Sequence, residues 1–185
     1  MPEVPEVEVT RRSLAAALLG RRVTSLTVHD RRLRWPVPRA LPARLVGRRL
    51  ERLDRRGKYL LWGFDNGVLI CHLGMTGSWR LLSASAAPAA GRHDRADLVF
   101  GPLLARFTDP RRFGALLWHP ATAGSLARHP RISALGVEPL QDGFDGALLY
   151  RATRGKSASI KQVLLAGRVV TGVGNIYACE SLFDA

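Results

Sequence analysis

The sequence predicts an α+β fold in which an N-terminal helix precedes a two-layer antiparallel β-sandwich and a helical segment follows it. Three observations support this prediction. An Ala/Leu-rich stretch over residues 4–19 closes on Gly20, short β-rich runs separated by turn residues occupy residues 20–135, and helical patterns begin at about residue 143. We therefore expect a β-sandwich domain at 1–135 and a helical domain at 136–185.

The first helix carries signals at both ends. Its last apolar residues are followed by Gly20, and glycine commonly stops a helix because it adopts positive φ at little cost. Glu3, Glu6 and Glu8 lie at its start, where the positive end of the helix dipole stabilises carboxylates. The pattern therefore predicts a helix that begins near residue 4 and stops before Gly20.

Turn residues divide the predicted β domain. Asp65-Asn66-Gly67 lies between two β-rich runs and is a strong hairpin signal, and Gly101-Pro102 separates a second pair of runs. The small residues of 83–92 predict a mobile surface loop. Strand-like runs are expected at 23–28, 45–53, 58–64, 67–73, 97–100, 103–108 and 114–118.

Three helical patterns follow the β domain, at 144–153, 157–167 and 175–185. The last pattern reaches residue 185 without a glycine, a proline or a basic residue that would stop a helix. We therefore expect the chain to be a fragment, or the elements that pack against this helix to be missing.

The charge of the chain predicts a polyanionic partner. Lysine and arginine number 28 against 15 acidic residues, which gives a net charge of +13, and 25 of the 28 are arginine. Nucleic acid is the commonest polyanion, and arginine binds phosphate bidentately where lysine does not. A GC-rich genome would explain the choice of arginine over lysine, but it would not explain the excess of positive charge.

Composition excludes several other classes of protein. A hydrophobic content of 46% is ample for a core, and no apolar run is long enough to span a membrane. The acidic N-terminus is no secretory signal. The two cysteines, Cys71 and Cys179, fit a reduced cytoplasmic protein and are too few for a zinc site. We expect no metal and no cofactor in this chain.

The first residues can form a catalytic centre. Methionine before a small residue such as proline is normally removed, which leaves Pro2 with a free secondary amine. An α-amino group has a pKa of about 7.7–8.0, against about 10.4 for lysine, so a useful fraction is unprotonated at neutral pH and can attack a carbon electrophile. Glu3 could move protons, and Glu6 lies on the same helical face. The spacing of these residues alone leaves open the alternative that they are a frayed N-terminus that leads into a helix and have no catalytic role.

Two further groups of residues are candidates for chemistry or DNA contact. Lys58 is the only lysine in the first 155 residues, and lysine can give up a proton where arginine cannot. Met75, Arg111 and Phe113 lie in predicted loops and are the residue types that wedge into a base stack. The alternatives are a lysine that merely flanks a strand and apolar side chains that belong to the core.

Six motifs together carry a family resemblance, and they span essentially the whole chain. MPEVPEVE, RRGKYLLW, HLGMTG, RHDRADLVF, DPRRFG and GVGNIYACESLF occur in the order and spacing of the formamidopyrimidine-DNA glycosylases. These bacterial enzymes excise oxidised guanine and ring-opened purines from DNA. The resemblance implies that the final helical pattern is the start of a helix–two-turn–helix domain.

The resemblance also implies a role for each candidate residue. Pro2 would attack the sugar C1′, Glu3 would be the acid that helps ring opening and departure of the base, and Lys58 would donate a proton in β-elimination. Glu6, on the same helical face as Glu3, is a further catalytic candidate from its position alone. Met75, Arg111 and Phe113 would fill the gap left by the flipped nucleotide, with Arg111 facing the orphaned cytosine. The other implied DNA-binding residues are His72, His93, Arg112, Lys156, Lys161 and Asn175.

The family also carries elements that this sequence lacks. The resemblance implies roughly another 80–100 residues, with the second half of the helix–two-turn–helix and a four-cysteine zinc finger, a ligand set that two cysteines cannot provide. We expect a monomeric, cytoplasmic, nucleoid-associated glycosylase and AP lyase that acts on damaged double-stranded DNA, with no membrane partner. The alternative is a catalytically inactive DNA-binding fragment that lacks half of its clamp.

Overall fold

The computed structural model describes residues 2–141 and 143–185 and contains two four-stranded antiparallel sheets between an N-terminal helix and a helical segment. The helices are α1 (Val4–Leu18), α2 (Leu41–Leu45), α3 (Pro130–Ser133), α4 (Gly146–Thr153), α5 (Ile160–Leu165) and α6 (Asn175–Phe183). The strands are β1 (Ser25–Val28), β2 (Arg52–Arg56), β3 (Tyr59–Phe64), β4 (Gly67–His72), β5 (Ser78–Ser83), β6 (Asp94–Phe100), β7 (Leu103–Thr108) and β8 (Ala115–Pro120).

The strand order is β1-β6-β7-β5 in one sheet and β2-β3-β4-β8 in the other. This arrangement confirms the predicted α+β fold. Both hairpins are present: Phe64 pairs with Gly67 across the Asp65-Asn66 turn, and Phe100 pairs with Leu103 across a turn in which Gly101 has φ +63°. Among the described residues, no helix is both long and apolar enough to cross a bilayer.

The prediction of a strand over 45–53 is wrong for most of that run. Helix α2 ends at Leu45, the chain turns at Gly47 with φ +83°, and only the isolated bridge between Arg22 and Arg49 precedes β2. The glycine therefore serves a turn that the apolar spacing did not reveal. The surface loop predicted over 83–92 does connect β5 to β6. Nη1 of Arg106 donates a hydrogen bond of 2.8 Å to the carbonyl of Pro88 in this loop.

Aromatic side chains fill the space between the two sheets. Trp62 of β3 lies 5.0 Å from Trp79 of β5 and 6.4 Å from Phe100 of β6, measured between ring centroids. Trp79 in turn lies 5.0 Å from Phe107 of β7. The same cluster includes the buried face of α1, so the N-terminal helix is anchored to the sandwich by its apolar side chains.

The helical segment has a small core of its own. Leu164 of α5, Val170 and Ala178 of α6 form its buried centre, and Phe144 packs against them. All three helical patterns that the sequence predicted are helices here, each shorter than its pattern. A parallel bridge joins Val137 to Val170 and connects this segment to the chain that leaves the sandwich.

The aromatic core generates a test of the packing. Replacing Phe100, which is 1% exposed, by alanine leaves a cavity between the sheets, and we expect a loss of about 3–5 kcal/mol in the free energy of unfolding. The matched control is Phe183→Ala at a side chain that is 88% exposed, where we expect a change within about 0.5 kcal/mol. Urea denaturation measures both, and equal midpoints would contradict the proposed core.

Candidate active site

The carboxylate of Glu3 joins the start of the chain to the N-terminus of α6. Its Oε2 accepts hydrogen bonds from the backbone N–H of Gly174 at 2.7 Å and of Tyr177 at 3.3 Å, and its Oε1 accepts one from Ile176 at 2.8 Å. Glu3 is only 2% exposed. An anionic group is well placed there, because the first N–H groups of a helix have no intrahelical partner and its dipole is positive at this end.

Glycines make this close approach possible. A Cβ on Gly174 would lie 2.4 Å from Cδ of Glu3, and a Cβ on Gly172 would lie 2.0 Å from Cγ2 of Val4. Gly172 also has φ +86°, a conformation that side-chain-bearing residues rarely adopt. The GVG sequence before α6 is therefore required by the contact with the chain start.

Glu6 supports Glu3 from within α1. Its Oε2 accepts a hydrogen bond of 2.9 Å from the backbone N–H of Glu3, which satisfies one of the free donors at the start of the helix. Pro2 directly precedes this arrangement and is partly exposed. The predicted nucleophile therefore lies at the surface, next to a buried carboxylate whose position is fixed.

Lys58 lies in the turn between β2 and β3 and is half-buried. Burial lowers the pKa of Lys58, and the negative charges of Glu3 and Glu6 oppose part of that change. Both carboxylates therefore lie close enough to Lys58 to act on its charge. A Cβ on Gly172 would lie 2.0 Å from Cγ2 of Val4 and 3.8 Å from Cα of Gly57, so the turn that carries Lys58 lies near the start of the chain, although Lys58 is distant from it in the sequence.

His72 is the last residue of β4 and lies near Lys58. Burial, together with the charges of Lys58 and Arg34, lowers the pKa of His72 to about 4. Its Nδ1 accepts a hydrogen bond of 2.9 Å from the N–H of Gly74, so the neutral ring carries its proton on Nε2 and can donate from there. Arg34 is a residue that the sequence analysis missed, because one more arginine in an arginine-rich chain gives no separate signal.

Met75 and Phe113 project from two adjacent loops at the open side of the sandwich. Met75 is exposed in the turn after β4, and Phe113 is exposed in the turn before β8, with the guanidinium of Arg111 4.7 Å above its ring. The loops border a groove of about 710 Å³. Its lining combines apolar and cationic side chains: Arg32, Leu33, Arg34, His72, Gly74, Met75, Arg111, Arg112 and Phe113.

Asp109 locks these two loops together. Its fully buried carboxylate accepts hydrogen bonds from Oγ1 of Thr76 at 2.7 Å and from the N–H of Gly114 at 2.8 Å. A Cβ on Gly74 would lie 2.4 Å from the carbonyl carbon of Phe113, so the two turns touch. Asp109 lies in the DPRRFG motif, but its role cannot be predicted from the sequence, because only the fold brings it to Thr76.

The remaining predicted DNA-binding residues occupy different environments. Arg112 has φ +61° and pairs with Asp30 at 3.0 Å, so part of its charge is already neutralised. Nζ of Lys161 lies 3.1 Å from Sγ of Cys179. His93, Lys156 and Asn175 are exposed, and Asn175 is the first residue of α6. The structure does not test their contacts with DNA, which stay predictions.

The residues present do not fit a zinc ion. Cys71 is buried in β4, and burial raises the pKa of its thiol to about 12, whereas zinc binds thiolates. Cys179 is exposed on α6. Within residues 2–141 and 143–185, no three His, Cys, Asp or Glu side chains form a group that could hold a metal ion.

Comparison with known proteins identifies the class. The family model described as formamidopyrimidine-DNA glycosylase N-terminal domain matches residues 1–116, and the model described as formamidopyrimidine-DNA glycosylase H2TH domain matches residues 135–185. Proteins named formamidopyrimidine-DNA glycosylase from Burkholderia multivorans and Paraburkholderia phymatum are each 55% identical over all of this chain and 67% of their own length.

Solved structures agree with the sequence comparison. The complex of Lactococcus lactis Fpg with DNA containing an abasic site has a TM-score of 0.87 and 32% identity over 97% of this chain and 65% of that one. A complex of inhibited LlFpg with N7-benzyl-Fapy-dG DNA has a TM-score of 0.88 and 32% identity over 98% and 67%. The chain belongs to the formamidopyrimidine-DNA glycosylase family, and it spans about two thirds of the length of these relatives.

The pKa of His72 generates a test of the site. Because the folded pKa of about 4 lies below the ordinary value of 6.5, the unfolded chain binds a proton first as the pH falls. We expect this residue alone to reduce stability by up to about 3 kcal/mol between pH 6.5 and pH 4. His72→Gln should flatten the pH dependence of the free energy of unfolding over that range, and an identical slope in both proteins would contradict the shift.

Proposed function

We propose that this chain contains the catalytic centre of a DNA glycosylase with AP lyase activity that removes oxidised purines, such as 8-oxoguanine and formamidopyrimidines. The observation that carries the proposal is that the chain start, which holds Pro2, Glu3 and Glu6, meets the turn that carries Lys58. A nucleophile next to fixed acidic groups and a lysine of lowered pKa is the arrangement that imine chemistry requires.

In the first step, the secondary amine of Pro2 attacks C1′ of the damaged nucleotide once Met1 has been removed. Its lone pair forms the C1′–N bond, the bond to the base breaks, and the base leaves with the electron pair of that bond. Glu3 takes the proton that the Pro2 nitrogen loses and gives it to O4′, as the C1′–O4′ bond breaks and the C1′=N bond of the imine forms. Its hydrogen bonds to the N–H groups of Gly174 and Ile176 keep the carboxylate in one position during these changes.

In the second step, Lys58 supplies a proton during β-elimination of the strand. The C2′ proton of the imine passes to water, the electrons of the C2′–H bond form a C2′=C3′ double bond, and the C3′–O bond breaks. Its electron pair leaves on the phosphate oxygen, which takes the proton from Lys58 as the strand end departs. Because burial lowers the pKa of Lys58, its ammonium group exchanges protons more readily near neutral pH than an ordinary lysine. An arginine at this position would keep its proton.

Access to the nucleotide requires that it leave the base stack. Met75 and Phe113 supply apolar wedges, and Arg111 supplies a cation that can face the orphaned base. Arg112, His72, His93, Lys156, Lys161 and Asn175 are proposed to hold the phosphates of damaged double-stranded DNA. Lactococcus lactis Fpg was solved in complexes with DNA that contains an abasic site, which supports this partner. We further propose a monomer that acts on the nucleoid in the cytoplasm.

Borohydride trapping on an abasic-site duplex tests the nucleophile. We expect a covalent protein–DNA complex, and peptide mapping of that complex should locate the adduct on Pro2. Pro2→Gly should reduce trapping at least tenfold, because the constrained secondary amine is lost, while nonspecific DNA affinity changes little. An adduct on Lys58 would refute the assignment, and binding without any trapping would favour a DNA-binding fragment instead.

Lys58 is tested by separating the two steps. Lys58→Ala should leave the rate of trapping within about threefold and slow strand cleavage at least tenfold, because only the later proton transfer is lost. Lys58→Arg is the matched control: it keeps the positive charge but cannot give up its proton, so cleavage should stay slow. Full cleavage by Lys58→Arg would mean that charge alone is needed.

A further inference from the structure

We propose that Glu138 is a positioning residue that holds the turn carrying Lys58 in place for strand cleavage. Glu138 lies between α3 and α4, far from Lys58 in the sequence, and is only 7% exposed. The inference rests on the proposed function, because it assigns Glu138 to the step in which Lys58 acts.

The carboxylate of Glu138 binds three consecutive residues, which are the last two of β2 and the first of the turn that carries Lys58. It accepts hydrogen bonds from the N–H of Gly57 at 2.6 Å, from Nη1 of Arg55 at 2.7 Å and from Nη1 of Arg56 at 3.0 Å. Nη1 of Arg55 also donates to the carbonyl of Gly57 at 2.8 Å. Both backbone polar groups of Gly57 are therefore fixed, and its carbonyl belongs to the peptide bond that leads directly into Lys58.

Packing on the other side of the turn leaves it little freedom. Gly57 has φ +54°, and a Cβ there would lie 2.3 Å from Oγ1 of Thr171. Arg56 donates from Nη2 to the carbonyls of Gly136 at 2.5 Å and Leu135 at 3.2 Å. The turn is thus held between the segment that carries Glu138 and the segment that carries Thr171.

The same frame also holds Glu3. The carbonyl of Val137, next to Glu138, accepts a hydrogen bond of 2.8 Å from the N–H of Thr171. Three residues further along, Gly174 donates to the carboxylate of Glu3 at 2.7 Å. Glu138 therefore fixes the turn of Lys58 to the strand-like segment that leads into the amide donors of Glu3.

Charge explains why a carboxylate suits this position. Burial opposes ionisation of Glu138, but hydrogen bonds from Gly57, Arg55 and Arg56 outweigh it and lower its pKa. An ionised Glu138 neutralises two guanidinium groups next to the turn. Without it, Arg55 and Arg56 would repel each other and Gly57 would lose the acceptor for its N–H.

Single-turnover assays on an abasic-site duplex test the proposal through the ratio of strand-cleavage rate to borohydride-trapping rate. We expect Glu138→Gln to lower that ratio at least fivefold, because the Lys58 step is displaced while attack by Pro2 continues. The matched control, Glu51→Gln at an exposed glutamate, should stay within twofold of the unsubstituted chain. A purely structural role would lower both rates equally, and an unchanged ratio overturns the proposal.

A second variant with a shorter carboxylate, Glu138→Asp, covers the case in which Glu138→Gln does not fold. Glu138→Asp keeps a negative charge near the two arginines but withdraws the carboxylate from the N–H of Gly57. We therefore expect the same fall in the ratio of cleavage rate to trapping rate. The thermal stability should stay close to that of the unsubstituted chain. If Glu138→Gln does not fold, this variant decides, and an unchanged ratio in it overturns the proposal.

A second readout does not depend on activity. The chain has only three lysines, at 58, 156 and 161, so reductive methylation with 13C-formaldehyde gives few lysine signals, and Lys58→Arg assigns the one from Lys58. We expect that signal to shift in Glu138→Gln and to stay in place in Glu51→Gln. If the unsubstituted chain neither traps nor cleaves DNA, the proposed function fails and the ratio cannot be measured. In that case the position of the Lys58 signal decides, and an unmoved signal in Glu138→Gln overturns the positioning of Lys58.

Discussion

The contact between Glu3 and the N-terminus of α6 is the constraint on which the rest of the site depends. The carboxylate of Glu3, the residue directly after Pro2, could not stay buried without donors, and three backbone N–H groups of the helical segment supply them. The β-sandwich and the helical segment therefore complete the site jointly. Separation of α6 from Glu3 would leave a buried charge unpaired and free the chain start from its fixed position.

This constraint explains the glycines around the site. Gly57, Gly172 and Gly174 each lie where a Cβ would overlap Thr171, Val4 or Glu3. Two of them, Gly57 and Gly172, also adopt positive φ. Three segments from the start, middle and end of the chain thus meet at backbone distance, and the side chains that bear charge, Glu3, Lys58 and Glu138, are arranged around that meeting point.

Local signals in the sequence predicted the hairpins and the helices, because turn residues and apolar spacing act over a few residues. The prediction of a strand over 45–53 failed for the opposite reason. Gly47 donates a hydrogen bond of 2.8 Å to the carbonyl of Val23, and Leu45 is buried in the same cluster as side chains of α1 and β1, which the apolar pattern of the run does not encode. In the candidate site, Pro2, Glu3 and Lys58 could be named as candidates because the start of the chain and a rare lysine stand out, and their catalytic roles stay predictions. Glu138, Asp109 and Arg34 could not, since their roles consist of contacts with residues distant in the sequence.

The excess of arginine has two physical uses that composition does not separate. Arg95 and Arg106 are 2% and 3% exposed and bind Asp30, Asp97 and backbone carbonyls inside the sandwich, so their charge serves the fold. The neighbours Arg111 and Arg112 show most directly the difference between an arginine that pairs inside the fold and one that remains available to DNA. Arg112 turns into the structure with positive φ to pair with Asp30, whereas Arg111 lies over Phe113, and no carboxylate in the described part of the chain pairs with it. The count of 28 basic residues therefore overstates the cationic surface available to DNA, and the arginines without an internal carboxylate are those that can approach phosphates or bases.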